Sequence, residues 1–157
     1  MKKILLTALF ASLVFILNSC VGAMPEYKNS KSSYIVFKTR QFAYADMGFV
    51  AKADDEVKVE IYSSGQALVR LRITPTQVCM TKIKCMSAER FNKEYLGANY
   101  PKDTLFRVFR GEAIFNAEGK KDTSDGFIQK IDSIEYEVSS SYIRFIDRAH
   151  GVKIEIK

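Results

Sequence analysis

The sequence predicts an α+β domain that is mainly β: an antiparallel sandwich or partly open barrel with two short helices inserted midway. Three observations carry this reading. Residues 57–73 contain two runs of strict apolar alternation across a Gly-bearing turn. Residues 127–156 repeat that alternation between short polar breaks. Between these blocks, residues 87–111 lose period two and carry helix start and stop signals.

The elements follow in order. Ser33 to Thr39 (SYIVFKT) is β-branched and aromatic and reads as a strand. Gln41 to Ala53 is apolar but interrupted by Asp46 and Gly48, so a second strand with a turn or bulge is expected. Val57, Val59 and Ile61 alternate with Lys58, Glu60 and Tyr62, and Val69, Leu71 and Ile73 alternate with Leu68, Arg70 and Arg72. Ser63-Ser64-Gly65-Gln66 between them completes a β-hairpin with one buried face. Its outer face, with Lys58, Glu60, Arg70 and Arg72, reads as a solvated, ion-paired surface.

Pro75 closes the hairpin, and the segment Cys79-Met80-Thr81-Lys82-Ile83-Lys84-Cys85 follows. Ser87 is a candidate cap for a helix over Ala88 to Leu96, with Gly97 as its stop. Phe91 and Tyr95 fall on one face of it, at i and i+4. A second helix follows Pro101, capped by Asp103 and ended by Gly111. Leu105, Phe106, Val108 and Phe109 lie on its core side, and Arg107 and Arg110 point away. Asn116 to Gly126 reads as a polar loop, and the C-terminal third as an antiparallel meander.

At the N-terminus, Lys2 and Lys3 precede an uncharged apolar run, Ile4 to Ile16. A positive start followed by about 7–15 apolar residues is the pattern of a secretory signal, whereas a bilayer span needs about 20. Leu17-Asn18-Ser19-Cys20 resembles the lipobox of bacterial lipoproteins. The resemblance implies removal of residues 1–19, acylation of Cys20 and attachment to a membrane through its acyl chains. Two or more chains make such an anchor persistent. Asn18 departs from the small or β-branched residue usual at that position, and the alternative is conventional cleavage near Ala23. Val21 stands where an aspartate signals inner-membrane retention in many Gram-negative lipoproteins, which favours the outer membrane. Residues 20–32 then form a flexible tether and residues 33–157 the single globular domain.

The formal charge of +6 is mild and no long basic run occurs. The export signal argues against nucleic acid as a partner despite the basic pI. Three cysteines are an odd number for an exported chain. With Cys20 lipidated, Cys79 and Cys85 remain as one pair, for which a structural disulfide is the default in an oxidising compartment. A redox-active or metal-binding pair is the alternative, but redox motifs are usually C-x-x-C and zinc needs further ligands.

Catalytic signals are sparse. His150 is the one histidine, and its place in a turn beside Asp147 argues against a triad. Asp122, Asp125 and Glu118 share a loop without EF-hand spacing. No phosphate-binding Gly-rich motif or nucleophile elbow occurs. No catalytic residue, metal site or cofactor is therefore assigned, and no ligand-binding residue is singled out. The segment from Cys79 to Phe115, with FNKEYLGANYPKD and RVFRGEAIF, resembles small lipoproteins of epsilonproteobacterial type, a family without an assigned activity. The expectation is a non-enzymatic envelope lipoprotein that binds another envelope protein. The alternative is a carrier or sensor of a small apolar ligand, which requires a cavity of about 300–1,000 Å³.

Overall fold

The computed structural model describes residues 26–80 and 84–157. The apolar run and Cys20 lie outside the described residues. The described chain is mainly β, with eleven antiparallel strands in a single sheet. The sheet is continuous and is not closed into a barrel.

The first six strands are β1 (Asn29–Lys38), β2 (Ala43–Lys52), β3 (Val57–Ser63), β4 (Gln66–Ile73), β5 (Gln77–Cys79) and β6 (Cys85–Ser87). Helix α1 (Ala88–Phe91) runs on as a π-helical turn, Asn92–Leu96, and α2 spans Thr104–Arg110. The remaining strands are β7 (Lys120–Asp122), β8 (Phe127–Ile131), β9 (Ile134–Val138), β10 (Ile143–Asp147) and β11 (Val152–Ile156). Each half is a meander, and the halves join where β1 pairs with β11, giving the order β6-β5-β4-β3-β2-β1-β11-β10-β9-β8-β7.

Strand alternation then decides which side chains meet the helices. Ile35 and Phe37 of β1, Val57, Val59 and Ile61 of β3, Ile73 of β4, Tyr136 of β9, Phe145 of β10 and Ile154 of β11 are all buried. Helix α2 lies across them, touching both β3 and β10, with Leu105, Phe106, Val108 and Phe109 buried. Phe109 meets Phe37 edge-on at 5.9 Å. One face of the sheet is thus filled by helices and the other faces solvent.

Several local signals act as the sequence implies. Ser64 and Gly65 both have positive φ (50° and 79°), which matches a two-residue hairpin turn. The Ser87 hydroxyl accepts from the Arg90 N–H at 3.2 Å, and Gly97 ends the helical run with φ 70°. Phe91 and Tyr95 stack at 4.9 Å. Cys79 and Cys85 face each other across β5 and β6 and are joined by a disulfide.

Other expectations change. β1 begins at Asn29, so residues 29–32, assigned to the tether, belong to the sheet. Lys28 and Asp54 form an ion pair at 3.1 Å, and the Tyr27 hydroxyl donates to Glu56. Burial, then that hydrogen bond, pushes the Tyr27 hydroxyl pKa up to about 12. Strand β2 runs unbroken through Asp46 and Gly48. A Cβ at Gly48 would lie 2.2 Å from the Glu60 carbonyl oxygen, so glycine there permits close approach to β3 rather than ending the strand. Asp103 precedes α2 without a side-chain capping bond and pairs with Arg107 at 2.5 Å instead. The loop over 116–126 contains the short strand β7. Before it, Phe115, Asn116 and Ala117 take three consecutive left-handed conformations. Buried Gln129 holds that turn, accepting from the Ile114 N–H at 2.9 Å and donating to the Glu118 carbonyl at 2.8 Å.

Candidate functional site

Three features outside the core have chemistry to offer. The first is the outer face of β1 to β4. Five large apolar side chains are exposed among the described residues: Tyr34, Met47, Phe49, Leu68 and Tyr142. Three of them lie on the adjacent strands β1 and β2, and Leu68 lies on β4, beyond β3. Tyr34 and Met47 are cross-strand partners, Phe49 follows Met47 on the same face, and Phe49 meets Tyr62 of β3 edge-on at 5.9 Å. Leu68 of β4 lies opposite the register shift at Ile61 and Tyr62, which disturbs the ladder beside it. Phe49, Met47 and Leu68 are 44%, 50% and 56% exposed, too much for side chains whose role is packing. The charged residues expected on this face border the apolar group: Glu60 pairs with Lys58 at 3.1 Å and Arg70 at 3.5 Å.

The second feature surrounds Asp147, whose carboxylate is buried at the end of β10. It accepts from the Tyr100 hydroxyl at 2.5 Å, the Ser133 hydroxyl at 2.7 Å and the Ala149 N–H at 2.9 Å. His150 Nδ1 lies 2.7 Å from the same carboxylate. The β10–β11 turn folds His150 back onto Asp147, so a carboxylate orients the ring, a contact the expectation against a triad did not include. No hydrogen bond joins the other ring nitrogen to a hydroxyl or thiol among the described residues, and the Ser133 hydroxyl is engaged by the carboxylate. The cluster does what a turn clamp does, tying the β10–β11 turn to Tyr100 and Ser133. Burial pushes the Asp147 pKa up, and the hydrogen bonds from Tyr100, Ser133 and His150 outweigh it, holding it below the usual carboxylate range. Burial and the same contact raise the Tyr100 hydroxyl.

The third feature is a half-open cleft of about 310 Å³ between the sheet and the C-terminal end of α2. The start of β1, the end of β2, the β9–β10 turn and the end of β11 enclose it. Lys31, Lys52, Arg110 and Lys157 line it, and no acidic side chain does. Sequence reasoning missed it, because those cations are scattered over more than a hundred positions and only the β1–β11 pairing brings them together.

The expected loop acids stay apart from any centre: Asp122 pairs with Lys120 at 2.6 Å on the edge strand, and Asp125 accepts from Ser140 at 3.4 Å. Among the described residues, no group of three or more His, Cys, Asp or Glu side chains is placed to hold a metal ion. No described helix is long and apolar enough to cross a membrane. No family model matches the chain, and no curated protein sequence matches it.

Proposed function

We propose that this chain is a lipid-anchored protein of the cell envelope, held at the outer membrane through Cys20. Its domain binds another envelope protein and performs no chemistry of its own. The observation that carries the binding role is the exposed apolar group Tyr34, Met47, Phe49 and Leu68, laid out across β1, β2 and β4 with a charged border. An apolar centre with aromatic anchors and a polar rim is the composition of a protein interface. The edges of the sheet suit a partner less well. β6 and β7 are three residues each, and β7 (Lys-Lys-Asp) is charged, which discourages strand addition. The lipid anchor rests on the Leu17-to-Cys20 pattern and supplies the location.

The test is a photoreactive amino acid placed at Met47, at Phe49 and, as a control, at Lys130 on β8. Irradiation of intact cells should give one discrete protein adduct from positions 47 and 49, absent from position 130 and removed by Leu68→Asp. Adducts of the same pattern from all three positions would refute the reading.

The cleft supports a second reading, a carrier or sensor of a small ligand. Its volume of about 310 Å³ sits at the lower end of the range for ligand sites.

A further inference from the structure

The cleft has a polarity that the small-ligand reading alone does not anticipate. Part of its wall is apolar: Val50 from β2, Phe109 from α2, Val138 and Ile143 from either side of the β9–β10 turn, and Ile156 from β11. Its charged side chains are all of one sign. Arg110 is balanced by Glu112 at 2.5 Å, and Lys157 by Glu155 at 3.4 Å. Lys31 and Lys52 have no acid within ion-pair distance among the described residues. Lys52 Nζ donates only to the Arg110 carbonyl, at 2.9 Å, which caps the end of α2 but does not neutralise the ammonium. Burial, then the nearby Arg110, lowers the Lys52 pKa; Glu112 opposes the shift without reaching ion-pair distance, and Lys31 adds to it.

A second observation points the same way. Ser33, on the β1 wall of the cleft, is 2% exposed, and its hydroxyl has no hydrogen-bond partner among the described residues. A buried hydroxyl left unpaired costs about 1–3 kcal/mol, so its retention beside an open cleft calls for a partner that comes from outside. The neighbouring serines are already engaged: Ser139 accepts from the Ser141 and Tyr142 N–H groups, and Ser140 donates to Asp125.

Resting on the small-ligand reading, we infer that the cleft binds a small amphipathic anion, with its apolar body against Val50, Phe109, Ile143 and Ile156 and its anionic head against Lys31 and Lys52. At about 30 Å³ per non-hydrogen atom, the volume of a water in the liquid, the cleft holds a ligand of roughly ten such atoms. An eight-carbon carboxylate is of that size. A full membrane acyl chain is not, so the occupant is a short-chain acid rather than a phospholipid tail.

The experiment uses the full chain with Cys20→Ser, so that no attached acyl chain competes. Octanoate, 1-octanol and acetate are titrated separately and followed by amide chemical shifts. Octanoate should shift Ser33, Val50, Gly111 and Ser140 together, and should bind at least tenfold more tightly than either octanol or acetate. Lys52→Gln and Lys31→Gln should each weaken octanoate several-fold. Because Lys31 is exposed, Lys31→Gln keeps the test decisive if Lys52→Gln disturbs the end of α2. Ser33→Ala should weaken octanoate while leaving the protein at least as stable, since the hydroxyl it removes has no partner. Equal binding of octanol would overturn the anionic head and leave the small-ligand reading standing. No shift with octanoate or octanol would overturn both. Acetate binding as tightly as octanoate would reduce the cleft to a generic anion site and overturn the amphipathic assignment.

Discussion

The two arms of the sheet obey the same alternation and carry ion pairs on their outer faces, but only the first also exposes a group of large apolar side chains. On β9 to β11 the solvent-facing positions are laced by ion pairs. Arg144 meets Glu135 at 3.0 Å and Glu137 at 3.1 Å, Arg148 meets Glu135 at 3.0 Å, and Lys153 meets Glu155 at 3.2 Å. On β1, β2 and β4 the equivalent positions hold Tyr34, Met47, Phe49 and Leu68. Both arms pack against α2 with the same kind of inner face, so packing does not require the difference. A sheet face turned to water satisfies itself with charge pairs; uncovered apolar area is what the proposed partner role of the first arm rests on.

The expected effects on stability fall in size from the Asp147 clamp to the Phe49 ring. Asp147→Ala should cost the most, about 3 kcal/mol, because it leaves the Tyr100 and Ser133 hydroxyls and the turn N–H groups without their acceptor. Denaturant unfolding measures it, and adduct formation at Phe49 should persist below the midpoint. The same carboxylate gives a pH signature. Its folded pKa lies below the unfolded value, so its contribution is present above about pH 4 and is lost as pH falls through the folded pKa. Glu155, where burial is outweighed by hydrogen bonds from Lys153 and Lys157, moves in the same direction. An acid titration of unfolding should show stability falling on this arm's account.

Replacing both Cys79 and Cys85 with Ser should cost roughly 2 kcal/mol, the loop-closure entropy of a short cross-link. The loss should appear in thermal unfolding and leave both outer faces unchanged. Arg144→Gln should cost less than about 1 kcal/mol, and the cost should shrink further at high salt, as it does for half-exposed ion pairs. Phe49→Ser should change stability least, within about 0.5 kcal/mol, because the ring is already exposed. A large destabilisation there would mean the ring serves the fold, and the contrast between the arms would fail.

The fold was legible in the sequence wherever one local rule governed. Period two marked β3, β4, β9 and β11, and Ser87, Gly97 and Gly111 marked the helical insert. It was illegible where distant partners decide. Gly48 looks like a break from its own strand and becomes a contact only once Glu60 lies beside it. The Asp147 clamp needs Tyr100, which is 47 positions away, and a turn tight enough to return His150. The cleft needs the two ends of the domain to pair through β1 and β11. The exposed apolar group was hidden for a different reason: Met47 and Phe49 read as part of an interrupted segment, and Leu68 as the polar side of a hairpin.

On the proposed function, a partner covers the outer face of β1 to β4 in the envelope. Hydroxyl-radical labelling of Met47 and Phe49, in the purified protein and in intact cells, tests it directly, with Tyr142 as the internal reference. Fast labelling of all three is expected in the purified protein, with selective protection of Met47 and Phe49 in cells that is lost in Leu68→Asp. Equal labelling of Met47, Phe49 and Tyr142 in both settings would contradict it.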